Sequence, residues 1–146
     1  MERQLPVFVY GSLLNGFENY QRYVKPYQHE RFAAKTRGRL YHLPDRGYPA
    51  FVCEQEGEAW VYGELLYFLP DIYEQALAGL DKLEDFYLPL DERNEYEREA
   101  VMISRIDTGE QVEAYLYVAS RRMEEVVAST GLHVADGDWR RFMGSK

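Results

Sequence analysis

Short apolar runs separated by turn residues recur along almost the whole chain, while a single stretch keeps a sustained helical period. That contrast limits the possible folds more than any other feature. Residues 5–10 carry Leu5, Val7, Phe8 and Val9 in near-continuous order, the pattern of a buried strand. Further strand-like runs follow at Phe32–Leu43, Tyr48–Glu54, Ala59–Leu69, Tyr96–Ile106 and Gln111–Ala119. Pro44-Asp45-Arg46-Gly47, Gln55-Glu56-Gly57 and Asp107-Thr108-Gly109 supply the turns between them. The convincing helix covers about 70–86 and opens on Pro70, where a missing N–H costs little. Asn15 with Glu18 suggests a capping box for a short helix to about Val24, which Pro26 stops. A second short helical pattern lies near Met123–Ala128, before an irregular tail with Trp139 and Phe142. About six strands with one central helix and few βα alternations predict an α+β fold with a curled, mostly antiparallel or mixed sheet. A small barrel closes such a sheet economically. No repeat, linker or low-complexity tract divides the chain, so 1–146 reads as a single domain.

With 46% apolar and 15% aromatic residues, the chain has the material for a core and is no disordered segment. Its 13 tyrosines suit either a core rim or the wall of a polar pocket. A net charge of −8 argues against nucleic acid or an anionic membrane as partner. No apolar run approaches the ~18 residues of a membrane span, and no signal-peptide pattern opens the chain. A lone cysteine, Cys53, forms no internal disulfide, which points to a reducing cytoplasm.

Chemistry begins at the end of the first strand. There the chain passes through Tyr10-Gly11-Ser12-Leu13 into a polar helical segment, an entry that aims several backbone N–H groups one way and can seat a carboxylate or oxyanion. Ser12 invites a nucleophile reading. However, the flanking pattern is not Gly-x-Ser-x-Gly, and His29, His42 and His133 are scattered without a motif. The same scatter, with no paired cysteines or dense carboxylates, gives no metal pattern, and Gly11 with Gly16 lacks the Gly-Lys-Ser/Thr of a phosphate loop. Cys53 fits a small buried apolar residue better than a reactive thiol.

Projected at about 100° per residue, the 70–86 helix places Ile72, Tyr73, Ala76, Leu77, Leu80 and Leu83 in one arc. Glu74, Gln75, Asp81, Lys82 and Asp85 fall opposite. Glu84 lands between Tyr73 and Leu77, inside the apolar arc and in the last turn, where burial and the helix dipole both disfavour its charge. Such a carboxylate suits a general base working near neutrality. It can equally curl out to solvent or pair with an arginine such as Arg98. In Gln111–Ala119, Tyr115 and Tyr117 share one face and Ala114, Leu116 and Val118 the other, so one face packs while the other offers phenols to solvent or to a pocket.

The segments Val9-Tyr10-Gly11-Ser12-Leu13, Gly38-Arg39-Leu40-Tyr41, Gly47-Tyr48-Pro49, Val61-Tyr62-Gly63-Glu64-Leu65, Leu80-Asp81-Lys82-Leu83-Glu84, Tyr96-Glu97-Arg98 and Ala114-Tyr115-Leu116-Tyr117 follow in that order. This ordered set, over about residues 5–119, resembles the gamma-glutamylcyclotransferase-like family, which includes gamma-glutamylamine cyclotransferase-like proteins. The resemblance implies a small mixed β-barrel with flanking helices. It implies that Tyr10, Gly11, Ser12 and Leu13 hold the substrate's glutamyl end, that Glu84 is the catalytic acid/base, and that Tyr115 lines the pocket. One departure is Glu84-Asp85-Phe86-Tyr87 where many relatives have Glu-Gly-Tyr, which bears on the helix exit rather than on Glu84 itself.

The activity so implied releases 5-oxoproline and a free amine or amino acid from a small-molecule gamma-glutamyl amide, an acyltransferase- or lyase-type cyclisation. The substrate's own α-amine attacks, so neither an enzyme nucleophile nor a cofactor or metal is called for. Two alternatives stand beside it. One is a non-catalytic module on the same fold that binds a small carboxylate; the other is a serine hydrolase labelled at Ser12 by a fluorophosphonate. Scattered exposed aromatics mark no subunit interface.

Overall fold

In the computed structural model, residues 4–11, 13–14, 17–44, 48–53, 57–83 and 96–144 are described, with main chain alone at 18, 48 and 53. Seven strands, β1 (Val7–Val9), β2 (His29–Leu43), β3 (Tyr48–Cys53), β4 (Trp60–Phe68), β5 (Tyr96–Arg105), β6 (Gln111–Ala119) and β7 (Leu132–His133), form the sheet. Five of them close on themselves in the order β2, β4, β1, β6, β5 and back to β2. The closure is made by Ala34, which pairs with Gly63 of β4 on one side and Arg105 of β5 on the other. All neighbours are antiparallel except β1 and β6, which run parallel with Val7 opposite Tyr115, so the barrel is mixed. The second half of β2 leaves the barrel and pairs with β3 over Gly38–Leu43 and with β7 at Tyr41 and His42.

Alternation along the strands sorts side chains into two apolar layers. Phe8, Ala34, Val61, Leu65, Ile103, Ala114 and Leu116 fill the barrel and are essentially inaccessible. Val7, Val9, Leu66, Tyr117 and Ala119 face outward and are covered by α1 (Glu18–Tyr23), α2 (Tyr73–Leu83) and α3 (Arg121–Thr130). Tyr73, Ala76, Leu77 and Leu80 of α2 are buried there, the arc that the helical projection predicts.

Element limits differ where packing outweighs local signals. The expected 70–86 helix resolves into a 3₁₀ turn over Pro70–Ile72 followed by α2, and 84–86 lie outside the described residues. α1 starts at Glu18, and Asn15 and the Glu18 side chain, on which the expected capping box rests, lie outside the described residues. Its N-cap is Phe17, without a side-chain cap bond, and the Phe17 ring sits 5.1 Å from that of Trp139, so tertiary packing sets the start. The irregular tail expected after Met123–Ala128 is instead ordered. α3 runs to Thr130 with the Ser120 Oγ accepting from Met123 N–H at 3.3 Å, and a further helix, α4 (Trp139–Gly144), follows β7. Among the described residues no helix is long and apolar enough to cross a membrane.

Candidate active site

β1 stops pairing with β4 after Val9, opposite Glu64, and the chain turns there, with Leu14 N–H donating to Gly11 O at 2.9 Å. The turn is held on every side the structure describes. A Cβ on Gly11 would collide with the Pro49 ring and come within 3.7 Å of Trp139 Cε3, so only glycine lets the main chain lie this close. Pro49 is itself fixed, its carbonyl accepting from the buried Tyr96 hydroxyl at 2.9 Å. Leu13 and Leu14 anchor the far side with side chains buried in the α2 layer. The Tyr10 ring points into the barrel, where its hydroxyl donates to the carbonyl of Tyr117 at 2.5 Å. The phenol is therefore used within the core, which leaves Tyr10 its main chain for any ligand.

From Tyr117 the hydrogen-bonded path continues to the end of α2. The Tyr117 hydroxyl donates to Asp81 Oδ1 at 2.6 Å, and Arg98 Nη1 donates to Asp81 Oδ2 at 2.6 Å. The Arg98 side chain is only 7% exposed, and its guanidinium lies 4.9 Å from the centre of the Tyr115 ring. These are short, charge-assisted contacts in a partly buried setting, where they are stronger than neutral ones. Two expectations are corrected here. Asp81 does not point away with the polar arc: one residue past Leu80, it stands at the border of the buried arc and bends back to β6. The Tyr115/Tyr117 face is not an open row of phenols, because α2 packs on it and Tyr117 is 2% exposed. Removing the hydroxyl in Tyr117→Phe is expected to cost about 1.5–3 kcal/mol, the range for a hydrogen bond to a charged group. Thermal unfolding measures it, and an unchanged midpoint would mean that the phenol–Asp81 bond carries no stability.

The comparisons with known proteins bear on this arrangement. A family model described as gamma-glutamyl cyclotransferase, AIG2-like, matches residues 7–141. The chain belongs to that family. A Methanocaldococcus jannaschii protein provisionally named a gamma-glutamylcyclotransferase is 29% identical over 138 residues, covering 94% of this chain and 98% of its own. Among solved structures, an AIG2-like protein of Mus musculus superposes with a TM-score of 0.63 at 22% identity, over 80% of this chain and 77% of its own. YkqA of Bacillus subtilis gives a TM-score of 0.66 at 22% identity over 97% of this chain, which spans only 43% of that longer protein. At these identities the two structures show the fold, a closed mixed barrel with flanking helices.

Against this family background, Gly11, Leu13, Tyr10 and Tyr115 are described, and Ser12 and Glu84 lie outside the described residues. The structure ties the Tyr10 end of the turn through Tyr117 to Asp81, one helical turn before Glu84 in sequence. Sequence reasoning missed Asp81, Tyr96 and Tyr117 as the supports of the site. Signals were present: Tyr117 shares a strand face with Tyr115, and Asp81 and Arg98 both fall in the family's ordered segments.

Between the β5–β6 hairpin and the start of α3 a recess of about 340 Å³ is lined by Glu97, Glu99, Glu124 and Arg121 with Val118 and Ala119. Partial desolvation, then the charges of Glu97 and Glu124, raise the Glu99 pKa above the ordinary carboxylate range. A folded state that holds this proton more tightly is favoured in acid and loses that advantage as pH rises through the folded pKa. Glu99→Gln is therefore expected to raise the melting temperature at neutral pH and to leave it unchanged near pH 4. Equal gains at both pH values would assign the effect to something other than charge.

Proposed function

We propose that this chain cyclises a gamma-glutamyl amide, releasing 5-oxoproline and a free amine, with Glu84 as general acid/base and the Tyr10–Leu13 turn holding the substrate. The carrying observation is the family match over residues 7–141 together with a main-chain turn pinned at Gly11 by Pro49 and joined through Tyr117 to the end of α2. In this reaction the α-amine attacks the γ-carbonyl within one molecule, forming a C–N bond and a five-membered lactam. The old amide C–N bond breaks and the amine departs. Glu84 removes the proton that the α-ammonium carries at neutral pH and returns it to the leaving nitrogen; the second proton, released from the attacking nitrogen as the lactam forms, is also taken up by the departing amine, which leaves as an ammonium. Because the attack is intramolecular, the protein chiefly folds the substrate into reach; well-oriented cases reach effective molarities on the order of 10⁵–10⁸ M. Turn N–H groups would anchor the α-carboxylate or stabilise the developing oxyanion, worth about 3–4 kcal/mol for a well-placed donor.

The direct test is 5-oxoproline release across a panel of gamma-glutamyl amides and dipeptides with varied leaving amines. Turnover of at least one member, with stoichiometric amine release, supports the reading. Binding of gamma-glutamyl compounds, seen as a raised melting temperature, without any product would make the protein a small-carboxylate-binding module instead.

A further inference from the structure

The C-terminal segment after β7 closes one end of the barrel, directly beneath the substrate turn. β1 covers β4 only at Glu64–Leu66, so the edge of β4 toward Trp60 is left without a β1 partner. There Tyr62 N–H donates to Gly137 O at 2.8 Å, and Val134 N–H donates to Leu40 O at 2.8 Å. The segment then turns inward. Val134 and Trp139 are 2% exposed and belong to the same apolar cluster as Phe8, Tyr10 and Leu65. The Trp139 indole meets three things: the α-carbon side of Gly11 near its Cε3, the Phe17 ring at 5.1 Å, and His42. Phe17 is the N-cap of α1, so the indole lies between the two ends of the turn that runs from β1 into α1.

His42 sets the orientation of that indole. It is 2% exposed, and Trp139 Nε1–H points at its Nδ1 at 3.3 Å. An indole N–H can only donate, so Nδ1 must be the unprotonated acceptor in this arrangement. His42 itself is fixed in β2, paired with Pro49 of β3 and Leu132 of β7. Pro49 packs closest to Gly11 at the same position that the indole approaches. Indole and proline thus both border the space that a side chain at Gly11 would need, and both are referred to the same strand residue.

We propose that Trp139 is a positioning residue for the substrate turn: it holds Gly11 and the start of α1 at the spacing the glutamyl group needs. The kinetic half of this proposal rests on the cyclotransferase reading above; the structural half does not. The test compares Trp139→Phe, which keeps an aromatic plug but removes the outer indole ring and the N–H, with Phe142→Leu. Phe142 packs at 5.2 Å from His42 in the same plug and is farther from a Gly11 Cβ than Trp139 is, so it controls for loosened packing.

In Trp139→Phe, amide hydrogen exchange at Leu14 is expected to accelerate about tenfold or more relative to Phe142→Leu. KM for the turned-over gamma-glutamyl substrate is expected to rise about tenfold with kcat within about twofold, the mark of lost uniform binding. Should Trp139→Phe fail to fold, His42→Phe, which keeps ring packing but withdraws the acceptor, is expected to speed exchange at the same amide. Leu14 exchange no faster than in Phe142→Leu overturns the proposal, and so does a loosened turn with unchanged KM. If the unaltered protein turns over no gamma-glutamyl compound, the functional reading fails. The exchange comparison then still decides whether Trp139 holds the turn.

Discussion

Glu84→Gln is expected to leave a folded protein whose kcat for 5-oxoproline release is lower by about 10²–10⁴-fold, with KM changed little. That is the usual share of a positioned general acid or base. The amide side chain keeps the size of the carboxylate and can still hydrogen-bond, but it cannot take the proton from the α-ammonium. The nucleophile would then be only the small fraction of substrate already unprotonated at neutral pH. Raising the pH restores that fraction, so the variant's deficit should shrink as pH climbs toward the substrate amine's own pKa. Asp81, the carboxylate nearest to Glu84 in sequence among the described residues of α2, is poorly suited to replace it. Its two oxygens already accept from the Tyr117 hydroxyl and from Arg98, and taking a proton would weaken both bonds. A Glu84→Gln protein with kcat within tenfold of the unaltered chain would remove Glu84 from the mechanism and return attention to Asp81.

The same helix shows what periodicity reads and what it does not. Burial of Tyr73, Ala76, Leu77 and Leu80 follows from a 3.6-residue period alone, because one face must meet the barrel. The period fails at Asp81, since a residue at the border of an arc goes wherever a partner waits, and the partner is a tyrosine 36 positions later in the chain. Strand β6 was legible to the residue, Gln111–Ala119, because a turn bounds one end and the alternation is clean. Its hairpin partner β5 was legible as well, from the Asp107-Thr108-Gly109 turn, but its other barrel neighbour was not. Parallel pairing of β1 with β6 joins segments more than a hundred residues apart and leaves no local mark. The short helix ending near Val24 was legible as α1, whereas α4 was missed for a related reason. At six residues α4 is below the length at which a helix is stable alone, so its packing, with Trp139 on Phe17, decides it. The candidate residues, Glu84 and the Tyr10–Leu13 turn, came from the helical projection and the strand–turn entry, and the ordered family segments suggested their roles. The residues packed or bonded around the described part of the turn and the end of α2, Pro49, Tyr96, Tyr117 and Trp139, needed the three-dimensional arrangement.

Gly137→Ala is expected to be the most destabilising single-methyl change in the C-terminal segment, and the reasons are geometric. Gly137 has φ of 70°, in the left-handed region, where a side chain costs roughly 1–2 kcal/mol. A Cβ there would also run into the carbonyl oxygen of Trp60, main chain that cannot swing aside as a flexible side chain would. Overpacking of this kind costs about 1–3 kcal/mol. Relief requires the segment to retreat from β4, which stretches the bonds from Gly137 N–H to Val134 O at 2.9 Å and from Tyr62 N–H to Gly137 O at 2.8 Å. The sum is a loss of about 2–5 kcal/mol. For a chain of this size that lowers the melting temperature by roughly 5–20 °C. Retreat at Gly137 also draws back Trp139, two residues on, so activity at a temperature where the variant is still folded should show a raised KM. Thermal unfolding of Gly137→Ala beside Gly109→Ala separates the two contributions. Gly109, at φ of 73°, has a left-handed main chain but nothing within 4 Å of a Cβ, so it carries the conformational cost alone. Equal destabilisation of the two variants would mean that the close approach to β4 adds nothing, and that the C-terminal segment is not seated on the barrel as described.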